Sequence, residues 1–283
     1  MTGPLLHIED LHVDFHSRKG ETNAVRGVSW QMGREKLGIV GESGSGKSLS
    51  VRALLGLVRP PGEVRARRLE LDGVDLRALS ARQWQSIRGR RISMVLQDPR
   101  YSLNPVMRIG DQIAEAYLAH HDVSHGEAQA RALDMLAAVH IRDPERVARA
   151  YQHELSGGMG QRAMIAMMLM PEPEILIADE PTSALDISVQ TQVLSIIDEM
   201  VTSRGMGLIF ISHDLQLVAS FCDRVLIMYG GRVVEERLAK ELPTATHPYT
   251  RGLLACLPRL GERRESLAVL ERDNAWSREV EAP

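Results

Sequence analysis

The chain has 283 residues, 44% of them hydrophobic and 25% charged, with a formal net charge of −3. That length can bury a substantial core, as one large domain or two intimately joined ones, and the composition is ordinary for a soluble protein. The weakly negative balance speaks against a nucleic-acid partner, and two cysteines, Cys222 and Cys256, are too few for a disulfide framework or a Cys-rich metal site.

The opening stretch MTGPLLHIEDLHVDF lacks a basic start followed by an apolar run, so no export signal is expected. It reads as a strand, and a second strand, AVRGVSWQM, follows the polar turn HSRKGETN. EKLGIV is a compact apolar strand running into the glycine loop GESGSGKS, Gly41 to Ser48, and LSVRALLGLV continues as helix. The arginines of VRARRLE and IRGRRI sit beside apolar alternation and read as a solvated face.

From Ile109 to Ala150 the period becomes helical. Ile109, Ile113 and Tyr117 are four apart, Leu133, Leu136 and Ala137 share a stripe, and Asp143 before Pro144 is an N-cap. This is a helical insertion in a β-containing framework. The framework resumes with EILIAD and MGLIFIS, which have the character of buried parallel strands. RVLIMYGGRVVEE reads as a hairpin turning at Gly230-Gly231. The most apolar window, AMIAMMLM, is far short of the roughly 20 residues that span a bilayer. After about Leu260 the tail is charged and carries no catalytic motif.

The loop Gly41-x4-Gly46-Lys47-Ser48 is a complete Walker A pattern between a strand and a helix. Its glycines let backbone N–H groups approach phosphate oxygens. Lys47 supplies a positive charge to the β- and γ-phosphates, and Ser48 a hydroxyl to Mg²⁺. ILIADE, Ile175 to Glu180, ends a buried strand in two acids. Asp179 is placed to hold Mg²⁺, usually through water, and Glu180 to polarise the attacking water. Gln97 can reach Mg²⁺ or that water, and His213 could contact the γ-phosphate or hold Glu180 in position. A second glycine element, Ser156-Gly157-Gly158, precedes a helix and offers another backbone cradle for phosphate.

In this order, GESGSGKS, QDP, LSGGMGQR, ILIADE, SALD and SHD resemble the motifs of ABC transporter ATP-binding subunits, over roughly Leu5 to Leu257. LSGGMGQR is the most specific of them. The resemblance implies an α/β P-loop NTPase (RecA-like) core with an N-terminal antiparallel β-subdomain and an inserted helical subdomain at about 98–160. Residues 1–260 would form the ATP-binding domain and 261–283 a charged tail.

It further implies ATP held by Gly41, Ser43, Gly44, Ser45, Gly46, Lys47, Ser48 and Leu49, with Phe15 stacking on adenine. Catalysis would fall to Glu180, His213, Lys47 and Gln97, and Mg²⁺ to Ser48, Gln97 and Asp179. In such proteins two ATP-binding domains meet head to tail, so Ser156, Gly157 and Gly158 would grip ATP bound to a partner chain. That resolves the presence of two cradles more than a hundred residues apart.

QDPRYSLNP and THPYTRGLL resemble the peptide and nickel importer branch. That likeness implies a bacterial importer of di- or oligopeptides, or alternatively of nickel or a metal chelate, at the cytoplasmic face of the inner membrane. Expected partners are a second, non-identical ATP-binding subunit, two transmembrane permease subunits and, indirectly, an extracytoplasmic binding protein. Only Cys256 follows HPYT, so no iron–sulfur cluster is expected, and Met159 stands at the fifth signature position where glutamine is usual. His120, His121 and His125 read as a loop, not a metal site. A soluble ABC ATPase of DNA maintenance is disfavoured, because the span from Lys47 to Asp179 has room for a helical subdomain only.

Overall fold

The computed structural model describes residues 3–17, 20–183, 185–257 and Trp276. The chain forms two compact units, Met1–Leu79 with Ile209–Pro283, and Ser80–Leu208. The expected tail lies outside the described residues, Trp276 apart.

The first unit opens with a long antiparallel pair, β1 (Leu6–Ser17) and β2 (Gly20–Met32). Leu6, Ile8, Leu11 and Val13 of one strand and Val25, Val28, Trp30 and Met32 of the other are buried. The register shifts between Ile8 and Leu11, where Asp10 takes a φ of 54° and donates its N–H to Ser29 Oγ at 2.9 Å. The predicted eight-residue turn is mostly paired strand, from Asp14↔Asn23 out to Ser17↔Gly20. Its described residues are exposed beyond the core, and the polar sequence shows no hydrophobic alternation to read.

β3 (Lys36–Val40) leads into the glycine loop and α1 (Lys47–Leu54). The predicted helix stops short at Leu55, where Gly56 takes a φ of 59°. β4 (Gly62–Arg65), β5 (Arg68–Leu71) and β6 (Val74–Asp75) complete an antiparallel sheet of order β2-β1-β5-β6, with β4 also on β1. The arginines of VRARRLE pair individually with acids: Arg65 with the buried Asp14, Arg67 with Glu9 and Arg68 with Glu70.

In the second unit α2 (Ala81–Ile87) is opened by a Ser80/Gln83 capping box that the sequence reading passed over. β7 (Ile92–Val95) lies parallel to β8 (Ile175–Asp179) from Ile92↔Ile175. Arg91 closes the start of this pair with a bidentate bridge to Glu174, Nε–Oε1 2.5 Å and Nη2–Oε2 3.1 Å. At least this arginine of IRGRRI is a structural tie rather than a solvated one.

The helical insertion contains α3 (Ile109–Leu118), α4 (His125–Ala138), α5 (Pro144–Arg149) and α6 (Gly157–Leu169). Ile109, Ile113 and Tyr117 are buried as predicted, and Asp143 caps α5 by accepting from Arg146 N–H at 3.1 Å. On α4 the buried stripe is Ala128, Ala132, Met135 and Leu136, while Leu133 is half-buried and Ala137 exposed. The stripe keeps Leu136 and runs through two small alanines, on the side where α4 meets α3 and α6. His121 stacks on Tyr117 with ring centroids 4.0 Å apart, and burial holds the His120 imidazole below its ordinary pKa. α7 (Ile187–Arg204) follows, and the fully buried β9 (Gly207–Ser212) begins in this unit and ends in the first.

Back in the first unit, α8 (Leu215–Phe221) leads to β10 (Arg224–Tyr229), parallel to β3, and β11 (Arg232–Leu238). β10 and β11 form the predicted hairpin, with positive φ at both Gly230 and Gly231. α9 (Pro248–Cys256) ends the described chain but for Trp276.

α8 sits directly on β3. A Cβ on Gly38 would lie 2.1 Å from Val218 Cγ1 and 3.2 Å from the Cys222 sulfur. Burial pushes the Cys222 thiol up to about 12, so it is a packing group and no nucleophile. Gly38→Ala should lower stability by about 1–3 kcal/mol in chemical denaturation, and adding Val218→Ala should recover part of the loss. Unchanged stability in the single variant would mean that α8 yields freely.

Candidate functional site

The Walker A loop is shaped by close backbone approach. A Cβ on Gly41 would meet Met228 O at 2.2 Å, and one on Gly46 would meet Ala24 O at 2.8 Å. Gly44 and Gly46 also take φ of 82° and 97°. α1 starts from Gly46 with no side-chain cap and no acid in its first turn, so the positive end of the helix meets no carboxylate of that turn. Buried Lys47 donates from Nζ to the carbonyls of Gly41 (2.6 Å) and Glu42 (2.9 Å). The Ser45 hydroxyl is buried without a hydrogen-bond partner, as a loop built around phosphate oxygens requires. Ser43 and Gly44 are exposed at the rim, and Ser48 and Leu49 are half-buried.

Phe15 is half-buried opposite Gly62, where a Cβ would lie 2.8 Å from its ring. His213 is exposed just past β9, and the next residue, Asp214, caps α8 by accepting from Leu217 N–H. These residues all belong to the first unit.

Gln97, Asp179, Glu180 and the signature belong to the second. Gln97 is exposed two residues past β7, followed by Asp98, whose carboxyl is held below its usual range by hydrogen bonds from Arg100. Asp179 ends β8 and is 6% exposed. Glu180, half-buried, has a φ of 49°, a left-handed backbone uncommon for this residue type. Its carbonyl accepts from Ser183 N–H at 3.3 Å and from the Ser183 hydroxyl at 3.2 Å.

Ser156 is the N-cap of α6, accepting from Met159 N–H at 3.4 Å. Gly157 faces open space, whereas a Cβ on Gly158 would lie 2.7 Å from Val189 Cγ1. These residues line a cavity of about 560 Å³ with Arg142, Arg146 and Arg162. The sequence shows no acid next to this cradle, but the fold brings Asp143 and Asp186 to the same cavity. Both are engaged in helix capping. Asp186 accepts from Val189 N–H and the Ser188 hydroxyl, and these bonds hold its carboxyl below the ordinary value.

The ABC transporter family model matches residues 25–183. An oligopeptide transport ATP-binding protein of Bacillus subtilis is 44% identical over 259 residues, 90% of this chain and 72% of the relative. A dipeptide transport ATP-binding protein of Haemophilus influenzae is 43% identical over 269 residues, covering 94% of this chain and 82% of the relative. This chain belongs to the ABC transporter ATP-binding family. Among solved structures, a dimeric ATP-binding cassette in a post-hydrolysis state, bound to ADP and Pi, superposes with a TM-score of 0.72. It is 25% identical and covers 83% of this chain and 98% of that one. The fold is therefore the expected P-loop NTPase cassette with an antiparallel β-subdomain and helical insertion.

One residue in the signature of this ABC ATPase had no role in the sequence reading. Gln161 is 1% exposed and donates its amide to Pro181 O at 2.6 Å, fastening α6 to the residue that follows Glu180. It lies within the quoted motif, but its partner is 20 residues away and no spacing rule names it. Among the described residues no helix is long and apolar enough to cross a membrane, and no group of three His, Cys, Asp or Glu is placed to share a metal.

The backbone at position 180 can be tested apart from its chemistry. Glu180→Gly should be more stable than Glu180→Ala by about 1 kcal/mol, the reverse of the usual order, because only glycine sits in this conformation without strain. Thermal melts of the two variants decide it, and a more stable alanine variant would refute the strained backbone.

Proposed function

We propose that this chain is the ATP-hydrolysing subunit of a bacterial importer of di- and oligopeptides, bound at the cytoplasmic face of the inner membrane. The observation that carries the ATPase reading is a pair of cradles of unequal equipment. The first has a lysine, an uncapped helix start and an unpartnered buried hydroxyl. The second has open glycine backbone at a helix start but no lysine on its cavity. The names of the relatives, transporters of oligopeptides and dipeptides, support the cargo class.

In this reading Lys47 turns from its loop carbonyls to the β- and γ-phosphates of ATP, and the N–H groups at the start of α1 meet the same oxygens. Ser48, Asp179 and Gln97 would hold magnesium, for which hydroxyl, carboxylate and amide oxygens are suitable hard donors. The ion supplies charge neutralisation on the phosphates. Glu180 orients and deprotonates the attacking water, and His213 steadies the γ-phosphate end. Phe15 stacks on adenine. Ser156, Gly157 and Gly158 face the ATP of a second, homologous ATP-binding subunit. Closure of the two drives a pair of transmembrane permease subunits supplied by an extracytoplasmic binding protein.

Gly157 is the better position for testing the trans cradle, since an added side chain there meets nothing of its own chain, while one on Gly158 strikes Val189. Gly157→Asp should leave this chain's own ATP affinity within about twofold and abolish hydrolysis at the partner's Walker A loop, through like-charge repulsion of the γ-phosphate. Lys47→Ala should instead weaken binding here. Loss of ATP binding by the isolated, folded Gly157→Asp chain would show that the signature serves its own loop.

Glu180→Gln should bind ATP normally and lower turnover at this chain's site by about 10²–10⁴-fold. Cells depending on it should lose uptake of labelled dipeptides, which the wild-type chain restores. Undiminished dipeptide uptake in cells without the chain would sink the peptide assignment.

A further inference from the structure

The element THPYT carries no catalytic motif, yet the fold buries its Tyr249 and joins it to the Walker A loop. Tyr249, at the start of α9, has no exposed surface. Its hydroxyl accepts the backbone N–H of Glu42 at 3.0 Å, across 207 residues of sequence. Glu42 follows Gly41 at the loop's first turn, and the carbonyls of both residues receive the Lys47 amine. The short stretch that sets where Lys47 rests is therefore held on its N–H side by a phenol from the far end of the chain.

That phenol is itself fixed. Its ring is 4.5 Å from Tyr229, centroid to centroid, and 5.8 Å from Trp276, which also lies edge-on to Tyr229 at 5.7 Å. Tyr229 leads into the Gly230-Gly231 turn, where Gly231 N–H donates to Ser45 O at 3.2 Å. The approach to α9 is clamped by Glu235, whose side chain is 6% exposed. Its carboxylate accepts from Thr246 N–H at 2.8 Å, His247 N–H at 3.3 Å and Arg237 Nε at 3.0 Å. His247 then caps the helix, its Nδ1 accepting from Tyr249 N–H at 3.2 Å.

We propose that Tyr249 is a positioning residue for the triphosphate of the bound nucleotide. Its hydroxyl fixes the first peptide of the Walker A loop, and Glu235 sets the phenol in place through the start of α9. This rests on the reading that Gly41 to Ser48 bind ATP phosphates. The bond is between a side chain and a backbone amide, so it constrains residue 249 and does not involve the side chain of residue 42.

Tyr249→Phe keeps the ring and removes only the hydroxyl. In the full chain it should weaken MgATP binding about 5- to 20-fold and speed deuterium uptake in the peptide covering residues 41–46. Glu235→Gln should act in the same direction, and the double variant should be no weaker than Tyr249→Phe alone, since both changes act through one contact. A merely structural tyrosine would lower the melting temperature and leave ATP affinity and loop exchange unchanged, and that result overturns the proposal. Additive effects of the two substitutions would overturn the part given to Glu235. Should Tyr249→Phe fail to fold, Glu235→Gln alone must weaken MgATP binding and loosen residues 41–46, or the proposal is wrong. Wild-type chain that binds no MgATP would remove the nucleotide reading and this inference together. Wild-type binding with unchanged affinity in folded Tyr249→Phe removes this inference only.

Discussion

Two carbonyl oxygens, Met228 O and Ala24 O, set the shape of the Walker A loop. They stand so close to Gly41, Gly46 and Gly231 that none of the three can carry a Cβ without displacing backbone. Neither is visible as part of a phosphate motif, one lying in β2 and the other in β10. Between them they confine the loop whose carbonyls take the Lys47 amine and which leads into α1. The glycines are thus needed for fit against the rest of the unit as well as for freedom of rotation.

What could be read in advance was whatever depends on near neighbours in sequence. The buried strands β8 and β9, the Asp143-Pro144 start of α5 and the Gly230-Gly231 turn have local causes, and local pattern disclosed them. The ordered motifs disclosed the family for the same reason. Side chains whose partners are remote stayed hidden. The bridge from Arg91 to Glu174 crosses 83 residues, and the hydrogen bond of Tyr249 to Glu42 crosses 207. On α4 Leu136 was placed correctly but Leu133 and Ala137 were not, because the buried side is set by helices remote in sequence. The polar end of the β1–β2 pair was missed because nothing apolar marks it. Roles of the site residues were inferred from residue type and order alone.

The two proposed phosphate cradles share one physical device and differ in their furnishing. Both put the positive end of a helix behind glycine backbone. At α1 the N-cap is a glycine without a side-chain cap, and a buried lysine follows it. At α6 Ser156 takes up one N–H, and the charge nearby comes from arginines, with Arg162 already donating to His140 O and Gln192 Oε1. A cradle of the second kind adds stabilisation to charge positioned by something else. It suits a surface that meets a partner's nucleotide better than one that recruits its own.

The left-handed backbone at Glu180 bears on how such a chain can change over generations. Glutamate already bears the strain of that conformation, so most replacements there keep it and β-branched ones add to it. Glycine is the exception, and its codons lie one base away from those of glutamate. With Glu180 in the role proposed above, a single base change therefore leads from an active subunit to a well-folded one without the water-orienting carboxylate. A transporter with two different ATP-binding subunits can tolerate that step in one of them, so asymmetry between its two sites has a short genetic path.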